Sequence, residues 1–229
     1  MRPLESDFIS TVSHELRTPL SSIAGALGLV AAGATGRLNS ETEKLLGIAL
    51  ANTKRLIALI NDLLEIDKVQ AGKLRMKIAS HSLRDVAKSA IDEISPLGQA
   101  KGVKMMLNCE STGDSAHVDS QRLAQVFRNL LSNAIKFSPP GESVRINIST
   151  GADCHRVDFI DNGPGVPEEF RQRLYDKFSQ ADSAGKHGVG GTGLGLAISR
   201  EIVHRLNGRL RFTPNPEGGA IFTVELPAA

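Results

Sequence analysis

The first part of the chain carries a helical rhythm of apolar positions. They recur at steps of 3, 4, 4, 3, 4 and 3 residues, the spacing of a coiled-coil seam with one doubled step of four. The positions are Ile9, Val12, Leu16, Leu20, Ile23, Leu27 and Val30. The doubled four is a stutter, which locally unwinds a supercoil, and the stretch that it spans also contains Pro19. We therefore expect a long helix whose packing is disturbed near this proline.

A second helix follows after a break rich in glycine and asparagine at Gly33–Asn39. Ser40 with Glu43 forms a capping box at its start, and Gly72 favours a stop at its end. Its seam, in steps of 4 and 3, is Leu45, Ala49, Asn52, Leu56, Leu59, Leu63 and Ile66. The polar Asn52 is of the kind that sets register in coiled coils. Because two helices cannot enclose a core, we predict that two copies of this hairpin form a four-helix bundle.

The sequence after Gly72 mixes strand-like and helix-like segments. The predicted strands are Leu74–Ile78, Lys104–Asn108, Ser143–Thr150, Arg156–Asp161, Arg209–Thr213 and Ala220–Leu226. The predicted helices are Leu83–Ala100, Ser120–Phe137, Pro167–Lys177 and Gly195–Leu206. Because strands and helices do not alternate strictly, we predict an α+β fold, a two-layer sandwich that follows the helical hairpin. The chain is thus expected to hold two domains, 1–71 and 72–229.

The composition narrows the possible functions. A net charge of +2 over 229 residues and only 4% aromatic residues argue against a nucleic-acid surface. Cys109 and Cys154 form no CxxC pair and the histidines have no zinc spacing, so we expect a reducing compartment and no metal cluster built from histidines. The uncharged stretch between Arg17 and Arg37 contains four glycines, which favours helix plus loop over a transmembrane helix.

One histidine stands within the disturbed stretch, which reads SHELRTPLSS. If the buried seam is centred between Val12 and Leu16, then His14 points away from it. An exposed imidazole can act as a nucleophile near neutral pH, and the neighbouring Glu15 can take a proton from the ring. Thr18 lies one turn further on. A solvated surface histidine is the alternative, which the stutter and the proline weaken.

The helix predicted at Ser120–Phe137 has a polar face opposite its apolar one. Asn129 and Asn133 stand four residues apart on that face, with Lys136 beyond them. Asparagine lowers helix propensity, but its carbonyl oxygen can bind a hard cation such as Mg²⁺, and a lysine can meet a phosphate. A polar face that only meets solvent remains the alternative.

Two glycine-containing segments follow. DNGPG at Asp161–Gly165 comes directly after an apolar strand and suits either a simple turn or an acceptor carboxylate at a bend that a flat ring can approach. GVGGTGLGLAIS at Gly188–Ser199 leads into a helix, where close backbone approach favours a phosphate. It has no GKS or GKT and follows no strand, which argues against a P-loop and a dinucleotide fold. The flexible Ser179–His187 could form a lid over a nucleotide.

Taken in order, these segments resemble the boxes of a known family. FISTVSHELRTPL is similar to the H box, NLLSNAIKF to the N box, DNGPG to the G1 box, YDKFSQ to the F box and GGTGLGLAIS to the G2 box of two-component sensor histidine kinases. All five stand in the family's order and cover nearly the whole chain. The chain therefore resembles the catalytic core of such a kinase, and the boxes show no departure from the family pattern.

For the first box, the resemblance implies that His14 is the phosphoacceptor and Glu15 the assisting base. Thr18 matches the threonine that helps to hydrolyse the phosphorylated regulator in bifunctional members. The implied fold is a dimerisation bundle followed by a Bergerat-type ATP-binding sandwich.

For the second domain, the resemblance implies an ATP site with Mg²⁺. Asp161 would accept the adenine amino group, and Phe178 would anchor the lid. Asn129 and Asn133 would hold the metal ion, with Lys136 at the phosphates. The remaining implied site residues shape the adenine pocket or surround the phosphates: Gly163, Gly165, Gly191, Thr192, Gly193, Leu194 and Gly195.

The implied partners are a second copy of the chain and the receiver domain of a response regulator, with no nucleic acid. We expect a cytoplasmic location, with a membrane reached only through a sensor region outside this sequence. Two other functions stay open: a dimeric scaffold that binds ATP without turnover, and a related ATPase that uses nucleotide binding to clamp a dimer. The intact nucleotide boxes argue against the first, and His14 on a bundle helix argues against the second.

Replacing Pro19 with alanine should change the balance between kinase and phosphatase rates. The proline and the stutter weaken the helix beside His14, so that the bundle can bend between two arrangements. Rates of phosphorylation and of regulator dephosphorylation, measured side by side, check this. Two unchanged rates would contradict the bending hypothesis.

Overall fold

The computed structural model describes residues 3–70, 74–109, 113–151, 153–180 and 191–228. Side chains of residues 3–11, 14 and 70 lie outside the description. The chain divides into two compact units, Met1–Leu74 and Arg75–Ala229. Within the described ranges, no helix is long and apolar enough to span a membrane.

The first unit is a helical hairpin of α1 (Pro3–Ala31) and α2 (Ser40–Gln70). Helix α1 continues through Pro19. The start of α2 is as predicted, but its capping residue is Asn39 and not Ser40. The Asn39 side-chain oxygen accepts a hydrogen bond from the Thr42 amide at 2.8 Å, while Ser40 is already helical. The stop predicted at Gly72 lies outside the described residues.

The face of α2 that is turned inward is one residue away from the predicted seam. A stripe of buried or half-buried positions runs through Leu46, Leu50, Thr53, Ile57, Ile60 and Leu64, again at steps of 4 and 3. Towards the end of α2 the predicted seam positions Leu59, Leu63 and Ile66 are also covered, so the displacement concerns the first part of the helix. The predicted seam positions Leu45 and Leu56 are exposed in the single chain. A hairpin helix in a bundle needs one stripe for its own partner helix and a second for other contacts, and periodicity alone does not distinguish the two.

A similar displacement occurs near the start of α1, whereas its predicted seam positions Leu20, Leu27 and Val30 are half-buried. Ser13 is 3% exposed and Arg17 is half-buried, whereas Val12 and Leu16 are 37% and 47% exposed. The Nε and Nη2 atoms of Arg17 both donate to Oδ1 of Asn61 on α2, at 3.1 and 2.8 Å. The contact between the helices therefore runs along the Ser13 and Arg17 side of α1. The expectation that Val12 and Leu16 are buried does not hold within one chain.

The second unit is a two-layer α/β sandwich. Its five-stranded sheet has the order β2-β4-β5-β7-β6, in which β2 and β4 are parallel and the other neighbours are antiparallel. These strands are β2 (Lys104–Cys109), β4 (Ser143–Thr150), β5 (Cys154–Ile160), β6 (Arg209–Pro214) and β7 (Ala220–Pro227). The helices are α3 (Leu83–Lys101), α4 (Ser120–Phe137), α5 (Glu168–Arg171) and α6 (Gly195–Arg205). The predicted α+β class is confirmed.

Two predicted elements are wrong, and two strands were not predicted. No strand forms at Leu74–Ile78; instead β1 (Ala79–Ser82) pairs with β3 (Ser115–Val118) as a separate two-stranded sheet. The helix predicted at Pro167–Lys177 is helical only over α5, and turns follow it. Strand β1 is short and polar, and β3 alternates polar and apolar residues over only four positions, too few to indicate a strand. Their pairing depends on a distant partner.

The core lies between the five-stranded sheet and the helices. Alternate residues of β4 and β5 are buried, which is the pattern of a sheet with one covered face. Phe127 of α4 is 0% exposed, and its ring lies 5.1 Å from that of Phe159 on β5, centroid to centroid. This contact fixes the apolar face of α4 on the sheet and leaves its polar residues at the edge of the helix layer.

Replacing Asn39 with alanine should lower the free energy of unfolding of the hairpin by about 1 kcal/mol, because the Thr42 amide loses its acceptor. Ser40→Ala is the matched control and should change it by less than about 0.5 kcal/mol, since Ser40 is a helical residue. Urea unfolding followed by helical circular dichroism checks both. A larger loss of unfolding free energy in Ser40→Ala than in Asn39→Ala would show that Ser40, as the capping box predicts, is the capping residue.

Candidate functional site

The predicted phosphoacceptor segment lies on α1. The side chain of His14 is outside the described residues, so the predicted direction of its imidazole stays a prediction. The backbone of His14 is helical, and Glu15 and Thr18 are exposed. Ser13, the preceding residue, is buried.

Asp161 is a buried carboxylate held by backbone amides. Its Oδ1 accepts hydrogen bonds from the amides of Gly163 at 2.9 Å and Ala220 at 3.1 Å. Among the described residues, Oδ2 has no hydrogen-bond donor. Burial raises the pKa of Asp161, and the two amide hydrogen bonds oppose that rise. One oxygen is thus fixed by the protein while the other is available to an outside donor.

The turn between β6 and β7 supports Asp161, and sequence reasoning missed it. The side-chain amide of Asn215 donates to the Asp161 carbonyl at 3.2 Å and to the Gly218 carbonyl at 2.7 Å. Gly219 has φ +96, and a Cβ there would overlap the carbonyl oxygen of Asp161. The sequence NPEGG signals a tight turn, but nothing in it shows that the turn meets Asp161.

The glycines of the DNGPG segment permit close packing on two sides. A Cβ on Gly163 would lie 2.9 Å from the carbonyl oxygen of Phe137, at the end of α4. Gly165 has φ +75, and a Cβ there would lie 3.1 Å from the Gly219 carbonyl oxygen. The bend after β5 is therefore enclosed between the end of α4 and the β6–β7 turn. Of the two interpretations left open by the sequence, this buried arrangement favours an acceptor carboxylate over a simple turn.

The polar residues of α4 differ in the contacts that their side chains make. The amide nitrogen of Asn129 donates to Ser199 Oγ on α6 at 2.9 Å, and a Cβ on Gly195 would overlap Asn129 Oδ1. Asn133 is half-buried and has no hydrogen-bond partner among the described residues. Lys136 Nζ lies 4.8 Å from the Phe137 ring centroid. Helix α4 thus presents two amide oxygens and an ammonium group along one edge.

The predicted phosphate loop reaches that edge. A Cβ on Gly191 would lie 3.5 Å from Lys136 Nζ, and the Gly191 carbonyl accepts a hydrogen bond from Gln180 Nε2 at 2.8 Å. Thr192 Oγ1 accepts from the amide of Leu194, which is fully buried. The structure thereby brings together the loop residues 191–195 and the polar edge of α4.

The predicted lid anchor packs on the same loop. Gly193 has φ +70, and a Cβ there would lie 2.8 Å from the backbone carbonyl carbon of Phe178. The Phe178 side chain is 61% exposed, and its backbone has φ 59. The predicted lid itself, together with Gly188 and Gly190, lies largely outside the described residues.

A groove of about 730 Å³ lies elsewhere, between α3 and α4. Arg128 and Glu93, an ion pair at 3.2 Å, are among its lining residues. None of the predicted site residues lines it. The candidate site is therefore defined by the donors and close contacts around Asp161 and α4, and not by this groove.

Two family models match the chain. The His Kinase A (phospho-acceptor) domain matches residues 4–72, and the histidine kinase-, DNA gyrase B-, and HSP90-like ATPase matches residues 118–229. The first match includes the whole SHELRTPLSS segment, and the second includes α4, Asp161 and the glycine loop.

Relatives match over nearly the full chain. The circadian input-output histidine kinase CikA of Synechococcus elongatus is 31% identical over 97% of this chain and 30% of its own length. The sensor histidine kinase TmoS of Ectopseudomonas mendocina is 33% identical over 97% of this chain and 23% of its own length. The structure of full-length ShkA in complex with AMPPNP has a TM-score of 0.80 and 27% identity, over 97% of this chain and 46% of that chain. The chain therefore spans less than a third of these two curated relatives.

Gly219→Ala should destabilise the second unit more than Gly218→Ala. Both glycines have a similar positive φ, of +96 and +100, so each alanine costs about 1–2 kcal/mol of backbone strain. Only the alanine at 219 also meets the Asp161 carbonyl, whereas nothing lies within 4 Å of a Cβ at 218. Thermal unfolding of the two variants measures the difference. Equal losses would show that the turn does not support Asp161.

Proposed function

The chain belongs to the two-component sensor histidine kinases, and from this we propose that it phosphorylates its own His14 with ATP and passes the phosphoryl group to an aspartate of a response regulator. The two units would have separate functions. Residues 1–71 would form the dimerisation and phosphoacceptor domain, and residues 72–229 the catalytic ATP-binding domain. Because the reaction consumes ATP, the protein would work in the cytoplasm.

The observation that carries the proposal is the state of Asp161. Two backbone amides satisfy Oδ1, and Oδ2 has no donor among the described residues. A buried acceptor in this state suits the exocyclic amino group of adenine, which would donate to Oδ2. Because burial raises the pKa of Asp161, acidification would protonate this acceptor at a higher pH than it would an ordinary aspartate. Nucleotide affinity would fall over the same range.

The phosphates would lie between the edge of α4 and the start of α6. The Lys136 ammonium and the backbone amides near Gly193 and Gly195, at the amino end of α6, suit a negative charge. The side-chain oxygens of Asn129 and Asn133 would hold Mg²⁺. Asn133 fits this role because it is half-buried with no partner among the described residues, and Asn129 because its oxygen accepts no hydrogen bond there. The ion would supply neutralisation of phosphate charge.

The chemistry would take place at His14. One ring nitrogen attacks the γ-phosphorus, the bond to the bridging oxygen breaks, and ADP leaves with the electron pair. Glu15, exposed beside His14, takes the proton from the other ring nitrogen. The phosphoryl group then moves to an aspartate oxygen of the receiver domain as the phosphorus–nitrogen bond breaks. Thr18, one turn on, would assist hydrolysis of the phosphorylated regulator.

We place a second copy of the chain on the exposed apolar side of the hairpin. Val12, Leu16 and Ile23 of α1 are exposed, as are Leu45 and Leu56 of α2. Burying them against the same surface of a second hairpin would complete a four-helix bundle and remove this apolar area from water. This homodimer is the assembly in which His14 would be phosphorylated.

Incubation of the protein with γ-labelled ATP and Mg²⁺ tests the proposal. We expect an acid-labile, base-stable label, as for a phosphorus–nitrogen bond, that is absent from His14→Gln. His117→Gln is the control, because His117 is exposed on β3 of the other unit and should leave labelling unchanged. A label that persists in His14→Gln would place the phosphoryl group on another residue and overturn the proposal.

A further inference from the structure

The carboxyl end of α4 is held by a residue outside all the predicted boxes. An α-helix leaves its last carbonyl groups without partners inside the helix. In α4, the Ala134 carbonyl accepts from the amide and the hydroxyl of Ser138, at 3.0 and 2.8 Å. The next two carbonyls, of Ile135 and Lys136, both accept from Lys101 Nζ, the first at 2.8 Å. One ammonium group in the last turn of α3 therefore caps α4.

The chemistry of this contact is favourable for a cation. The carbonyl end of a helix carries partial negative charge, and hydrogen bonds from a charged donor are stronger than neutral ones. Lys101 is half-buried, and desolvation lowers its pKa. It forms no ion pair with any described residue, so within the described structure these two carbonyls are its polar partners.

The turn that Lys101 holds borders both halves of the proposed nucleotide site. Lys136 supplies the ammonium for the phosphates, and its own carbonyl is one of the two that Lys101 binds. The next carbonyl, of Phe137, lies against Gly163 so closely that a Cβ there would be 2.9 Å away. Gly163 in turn donates its amide to Asp161. A shift of this turn would move the phosphate side and the adenine side together.

The chain beyond Lys101 is tied to the same region. The Gly102 carbonyl accepts from the Gly141 amide at 2.8 Å, and the Lys104 amide donates to the Glu142 carbonyl at 3.1 Å. The Glu142 carboxylate accepts from the side chain of Asn162, which follows Asp161, at 2.8 Å. The end of α3, the turn after α4 and the DNGPG bend thus form one connected set of contacts.

We propose that Lys101 is a positioning residue for the nucleotide, acting through the carboxyl end of α4. The inference rests on the proposed function, in which this site binds ATP. Lys101 acts without contacting the reacting groups, because it fixes the backbone that places Lys136 and Gly163. Its loss should therefore weaken nucleotide binding without slowing the chemical step once the site is filled.

The test compares Lys101→Met with Lys88→Met in the 229-residue chain. Methionine keeps most of the apolar stem and removes the donor. Lys88 is an exposed lysine on the same helix with no recorded partner among the described residues, which makes it a matched control. The dissociation constant for AMPPNP with Mg²⁺, measured by titration calorimetry, should rise about tenfold in Lys101→Met, the loss expected for part of a charged hydrogen bond. It should stay unchanged in Lys88→Met.

A kinetic measurement separates positioning from general damage. In Lys101→Met, the ATP concentration that gives half the maximal autophosphorylation rate should rise by the same factor, and the rate at saturating ATP should stay within about twofold of wild type. An unchanged dissociation constant, or a saturating rate that falls as far as the affinity, would overturn the proposal. If Lys101→Met does not fold, Lys101→Gln, which removes the charge and shortens the reach of the side chain, is judged by the same comparison.

The two proposals fail in different ways. If wild-type protein binds no AMPPNP, both the proposed function and this inference are wrong. If wild-type protein binds and Lys101→Met binds equally well, only the inference is wrong.

Discussion

The packing of α4 on the sheet is the contact on which the second unit depends. Its apolar face is fully buried, with Phe127 against Phe159, while α3 and α6 pack on either side of it. Because a helix turns about 100° per residue, fixing one face also fixes the direction of the others. The positions of Asn129, Asn133 and Lys136 along one edge are a consequence of that burial. A change that lets α4 rotate or slide would displace all three polar groups at once.

Around Asp161, glycines allow backbone segments to pack closely at positions where a side chain would not fit. Gly163, Gly193 and Gly219 each stand where a Cβ would meet neighbouring backbone atoms at less than 3 Å. Two of them also have a positive φ, which residues with a side chain adopt at a cost. These contacts bring the bend after β5, the β6–β7 turn and the loop before α6 close to their neighbours. The result is a carboxylate with Oδ1 fixed by two amides and with no donor to Oδ2 among the described residues.

The hairpin illustrates a different constraint. Each helix carries apolar positions on more than one side, and those of one side, the second stripe, are exposed within a single chain. Arg17 and Asn61 mark the covered side by a polar contact, and the exposed side keeps Val12 and Leu16 in contact with solvent. Burial of the second stripe therefore requires another surface. The proposed homodimer satisfies this requirement with the same surface of a second chain.

The sequence by itself determined the elements whose signals are local. The bounds of α4 and β4 agree with the prediction, because an amphipathic period and an apolar alternation are complete within each element. The order of the five boxes likewise identified the family before any contact was known. Tertiary structure alone decided which stripe of the hairpin is covered, the pairing of β1 with β3, and the contacts of Gly219 and Lys101. Gly219 lies in the β6–β7 turn and meets Asp161 after β5, and Lys101 lies 34 residues before the Ile135 carbonyl that it binds. Such contacts exist only after the chain has folded, and they leave no periodic trace in the sequence.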